Sequence, residues 1–71
     1  MIQWTIYDHP RDHPTMFVAR KWSVDASGPK PSTDMMLSAN VEDLRSAMAQ
    51  MGLTCLHRHP DDDPVILEVW L

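Results

Sequence analysis

Between Ala39 and Gly52 the chain reads ANVEDLRSAMAQMG, and this stretch sets the fold class. Val41, Leu44, Met48 and Met51 recur at helical spacing with Ala47 beside them, which makes one side of a helix apolar. Asn40 stands where an N-cap belongs, and Glu42 and Asp43 put negative charge on the first turn. Gly52, followed by apolar Leu53, supplies a left-handed ending. The pattern predicts one helix, about 41–51, that must lay its stripe on something.

That something is a sheet. Upstream, IQWTIY (Ile2 to Tyr7) alternates Ile2, Trp4 and Ile6 with Gln3, Thr5 and Tyr7, the period of a half-buried strand. TMFVARKWSV (Thr15 to Val24) is rich in β-branched and aromatic residues. It sets Met16, Val18, Arg20, Trp22 and Val24 on one side, with Phe17 and Ala19 on the other. Downstream, LTCLHR makes a third strand and VILEVWL a fourth. In strict alternation the fourth sends Val65, Leu67, Val69 and Leu71 one way and Ile66, Glu68 and Trp70 the other. Asp25 to Leu37, DASGPKPSTDMML, carries Gly28, Pro29 and Pro31 and reads as a long loop, 25–37. The expected architecture is therefore α+β: a single domain over 1–71 with one four-stranded sheet in ββαββ order. The near-continuous apolar fourth strand suggests the order 2-1-4-3, with the helix on one face.

Two loops rhyme. His9-Pro10-Arg11-Asp12-His13-Pro14 and His59-Pro60-Asp61-Asp62-Asp63-Pro64 both spell H-P-x-D-x-P, each between two strands. Proline and aspartate are turn residues, so parallel choice of turn chemistry explains the match better than duplication. A residue before proline favours extended backbone, which is the expectation for His9 and His13. Pro10 is placed at the second position of a turn, with Pro14 opening the next strand.

Size and charge narrow the function. A chain of 71 residues buries a modest core, and such small domains lean on a metal, disulfides or a partner chain. One cysteine, Cys55, cannot make an internal disulfide and suits a reducing compartment, so a cytoplasmic location is expected. The net charge of −4 and six scattered basic residues argue against nucleic acid. No stretch is apolar enough to span a bilayer, and the N-terminus lacks signal-peptide character.

Cys55, His57 and His59 share one side of an extended strand, and His9 or His13 could complete a Zn²⁺ or Ni²⁺ tetrahedron. The spacing lacks C-x-x-C, and the outer two of the row lie too far apart to share an ion, so this reading is the runner-up and no cofactor is expected. Asp61, Asp62 and Asp63 read as a solvated turn, because the glycine and distal glutamate of a calcium loop are missing. With two glycines and no oxyanion donors, enzymatic activity is not expected.

The apolar surplus is the stronger clue. One short helix covers one sheet face, yet Trp4, Phe17, Trp22, Ile66 and Trp70 all compete for shelter. These five are the expected interaction surface of a non-catalytic protein-binding module. It would self-associate as a homodimer, or take a protein partner, through the open sheet face or a strand edge. FVARKW (Phe17 to Trp22) and DDPVILEVWL (Asp62 to Leu71) give the chain a resemblance to a group of small uncharacterised bacterial proteins. That group carries F-V-x-R-x-W and D-D-P-x-I-x-E-x-W motifs. The resemblance implies the same layout over nearly the whole chain, and it implies no activity and no site residue.

Overall fold

In the computed structural model, residues 1–57, 61 and 63–71 are described. The elements run β1 (Ile2–Asp8), β2 (Phe17–Asp25), β3 (Gly28–Ser38), α1 (Val41–Gln50), β4 (Cys55–His57) and β5 (Ile66–Trp70). The five strands form one antiparallel sheet in the order β3-β2-β1-β5-β4. The class is α+β, but the expected four strands are five and the order is βββαββ. The expected neighbours β2-β1-β5-β4 do lie side by side, and β3 is added outside β2.

The extra strand is the segment expected to be a loop, and its prolines explain both the error and the outcome. Proline cannot donate to a ladder, so it argues against a central strand and is tolerated at an edge. β3 is an edge: Pro29 stands opposite Val24 and Pro31 opposite Trp22, and among the described residues no strand pairs with its other side. The register slips between Arg20 and Trp22, where Ser32 to Asp34 bulge out and Asp34 reaches Lys21 Nζ at 3.2 Å. The hairpin closes through Asp25, whose carboxylate accepts from the backbone and hydroxyl of Ser27 at 2.8 and 2.6 Å. These bonds hold the exposed Asp25 carboxyl below its usual range.

Gly28 completes that turn at φ 103°, a conformation costly to any residue with a Cβ. A Cβ there would meet nothing within 4 Å, so strain is the whole penalty. Gly28→Ala is expected to lower stability by about 1–3 kcal/mol in urea titration. An unchanged midpoint would mean the β2–β3 hairpin is not formed.

The helix is built as its punctuation implies. The Asn40 side chain accepts from the Glu42 amide at 3.0 Å, and Ser38 Oγ donates to Asp43 at 2.9 Å. At the other end the Gly52 amide reaches Ala49 O and the Leu53 amide reaches Met48 O, the paired bonds of a Schellman ending, with Gly52 at φ 77°. Leu44 and Met48 point into a cluster formed with Trp4, Ile6, Ala19 and Trp70.

β5 departs from strict alternation. Ile66 stands opposite Tyr7, but Glu68 stands opposite Ile6, so Leu67 is an extra residue in the ladder. A one-residue bulge moves everything beyond it to the other face. Glu68 and Trp70 therefore lie under the helix beside Ile6 and Trp4, while Ile66 and Val69 share the opposite face.

The first H-P-x-D-x-P loop also differs in detail. The His13 amide bonds Pro10 O at 2.9 Å, so Pro10 is the first residue of the turn rather than the second. A second turn runs from His13 to Met16, carrying Pro14 ahead of the strand. His9 is left-handed at φ 49° instead of extended. Its ring bonds the Asp8 carboxylate and tilts against Phe17 at 4.7 Å.

Candidate functional site

The face opposite the helix carries Gln3, Thr5 and Tyr7 from β1, Val18, Arg20 and Trp22 from β2, and Ile66 and Val69 from β5. At one end it is roofed. Arg20 pairs with Asp12, which ties the first H-P-x-D-x-P loop back over the sheet. Val18, on this face and outside the helix-side cluster, is fully buried.

The rest of the face is open and hollowed. One hollow of about 400 Å³ is bounded by Tyr7, Trp22, Arg20, Asp12, Pro10 and Pro31. A second, of about 310 Å³, is bounded by Tyr7, Trp22, Thr5, Gln3, Ile66 and Val69, with Pro29 at its rim. Tyr7 and Trp22 line both, from opposite ends of the β1–β2 ladder, since Tyr7 stands opposite Val18 and Trp22 opposite Gln3. A third hollow beyond the loop shares Pro10 and Val65 with the first and is edged by Asp63. The charges are locally matched: Arg20 with Asp12, and Lys21 with Asp34. These exposed pairs add little stability but orient the rim.

The five residues expected at the interaction surface split between faces. Trp22 and Ile66 are on the open one. Trp4 and Trp70 are core, at 5% and 9% exposure. Phe17 is half-buried and packs against the helix-side cluster. The bulge is the reason for Trp70, and simple alternation with Ile6 is the reason for Trp4. In their place the hollows are lined by Tyr7, Gln3, Val69, the nearly buried Thr5, and Pro10, Pro29 and Pro31. Gln3, Thr5 and Tyr7 had a legible signal, being the polar partners of the alternation in IQWTIY. Val69 had none, because its orientation depends on the bulge.

Of the row considered for a metal, Cys55 and His57 are among the described residues. Cys55 and His57 do share a side of β4, opposite Trp70 and Glu68. Cys55, however, packs against the helix-side cluster. Burial, then the Glu68 carboxylate that it bonds, pushes its thiol up from the ordinary value. His9 is engaged by Asp8 and Phe17, and His13 Nε2 stands 3.9 Å from Asp12. His59 and Asp62 lie outside the described residues. Among the described residues no three His, Cys, Asp or Glu side chains are grouped to hold an ion. Asp63 is occupied in its own turn, where its carboxylate accepts from the Val65 amide at 3.0 Å.

The sequence reading missed one polar constellation, and it lies on the helix side. Glu68 is 4% exposed and hidden beneath α1. Arg45 grips it with two bonds, Nε to Oε1 at 2.9 Å and a terminal nitrogen to Oε2 at 3.2 Å. Trp70 Nε1 donates to Oε1 at 3.1 Å, and Arg45 also bonds Glu42 at 2.6 Å. Burial pushes the Glu68 carboxyl up, but Arg45, Trp70 and Cys55 together pull it further down, and the net direction is below the usual range. No buried side-chain nitrogen or oxygen among the described residues is left without a partner. This is a satisfied structural node, because each of its buried polar atoms has a partner.

Among the described residues no helix is long and apolar enough to cross a membrane. No family model, curated protein or solved structure matches the chain.

Proposed function

We propose that the chain is a non-catalytic protein-interaction module that works through the sheet face opposite the helix. It would take a foreign chain or a second copy of itself there. The observation that carries this reading is the pair of open hollows, both lined by Tyr7 and Trp22, on a face the helix does not reach. Aromatic residues beside shallow hollows are the usual anchors of protein contacts. The strand edges are poorer surfaces. β3 is interrupted by Pro29 and Pro31, and β4 is only three residues long. A reducing cytoplasm suits the lone cysteine, Cys55, held as a thiol.

A photo-crosslinking residue placed at Ile66 tests the reading inside the cells that make the protein. Ser46, on the exposed side of the helix, is the control position. Covalent adducts are expected from Ile66 and not from Ser46, and a band of twice the chain mass would report self-association. Equal labelling at both positions, or none from Ile66, would remove the open face as the working surface.

A further inference from the structure

β3 is the longest strand of the sheet, 11 residues, and it stands at an edge. A long open edge is a template on which another chain can pair. Which of its backbone groups point outward follows from β2. Val24 sends its N–H to Met1 O at 2.8 Å and its carbonyl accepts from the Met1 amino group at 2.9 Å, so its backbone faces β1. Backbone direction alternates along a strand, so Trp22, Arg20 and Val18 face β1 as well. A β3 residue opposite one of these finds no backbone partner in β2 and turns its own groups off the sheet. The four in that position are Pro29, Pro31, Met35 and Leu37. Both prolines therefore stand where an N–H would project outward, and neither stands where β2 needs a donor.

We infer that Pro29 and Pro31 guard the β3 edge against pairing with a second copy of the chain. The inference stands apart from the open-face reading and concerns the strand edge alone. An edge is complementary to its own copy: run antiparallel about a two-fold axis, each outward N–H meets an outward carbonyl of the other chain. With proline at 29 and 31 this half of the edge offers acceptors only, and two rows of acceptors cannot bond each other. The bulge from Ser32 to Asp34 then interrupts the row. Met35 and Leu37 are left with two donors over three residues, a stretch too short to hold two chains together. Their side chains are 39% and 42% exposed, so apolar surface lies beside the open donors. That is where pairing would spread if the first half of the strand could donate.

Pro29→Thr with Pro31→Thr restores both donors, adds no apolar surface, and puts a good strand residue at each position. Sedimentation velocity and amide hydrogen exchange on the intact chain test the inference together. In the wild type the Met35 and Leu37 amides should exchange freely at every chain concentration. Those of Met36 and Ser38, opposite Ala19 and Phe17, should stay protected. The double variant should self-associate about ten-fold or more tightly than the wild type, since each pairing bond adds about 1 kcal/mol. Its Met35 and Leu37 amides, and the two that the substitutions restore, should slow as concentration rises. A double variant that associates no more than the wild type, or associates with those amides still exchanging freely, overturns the inference. So does protection of Met35 and Leu37 that grows with concentration in the wild type, a result that depends on no variant folding. Crosslinking from Ile66 reads the open face separately, so the two readings stand or fall on different data.

Discussion

Trp70→Ala is expected to cost about 3–5 kcal/mol, the range for losing a buried tryptophan, and to leave most of the chain unfolded. Trp70 stands opposite Trp4 on one side and Cys55 on the other, in the cluster under Leu44 and Met48. Truncation would open a cavity between two strands and the helix. It would also strip the Nε1 donor from Glu68, leaving a buried carboxylate with one partner fewer. Trp70→Phe separates the two losses, since it fills most of the space and removes the donor alone, for about 1–2 kcal/mol. The contrast is Trp22→Ala on the open face, expected to stay within about 1 kcal/mol of wild type. Urea titration of the three variants checks the ordering. A loss below about 1 kcal/mol for Trp70→Ala would place the Trp70 side chain outside the helix-side core, on the far face where strict alternation along VILEVWL put it.

That last point marks where reading residues stops being enough. The helix was legible to the residue at Val41 and within one residue at Gln50, because its signals are local: Asn40 bonds two residues on, and Gly52 bonds back within its own turn. β1 was legible because IQWTIY alternates without interruption. β3 was hidden by Pro29 and Pro31, which forbid a central strand and permit an edge. Which of these applies depends on β2 being at hand, a tertiary fact. The bulge at Leu67 had no marker, since no glycine or turn residue interrupts VILEVWL. Half of the open face followed from the polar side of β1, and the other half waited on that bulge. One clue was present and unused. Glu68 is the lone charge in an apolar run, and a charge there calls for a cation on the element packed above it.

Arg45 is that cation, and removing it gives the second large effect. Arg45→Met would leave Glu68 buried with Trp70 and Cys55 for partners and no opposite charge. Breaking a fully buried pair costs about 3–5 kcal/mol; with Arg45 37% exposed, about 2–4 kcal/mol is expected. The pH dependence identifies the cause. In the wild type the Glu68 carboxyl is held below its unfolded value. Its contribution is therefore present above about pH 4.3 and lost as the pH falls through the folded value. Without Arg45 the burial effect prevails and the carboxyl rises above its unfolded value, which reverses the sign. The variant then gains stability as the pH falls from neutral toward about 4.3, while the wild type gains none from this group. The gap between them should be widest at pH 7 and narrow steadily on acidification. Arg45→Met with Glu68→Leu should recover most of the loss, since an apolar pair needs no compensation. Urea titrations of the single and double variants across this range measure both. A gap that stays constant down to acid pH would mean Arg45 acts through packing alone, and Glu68 is not the group it holds.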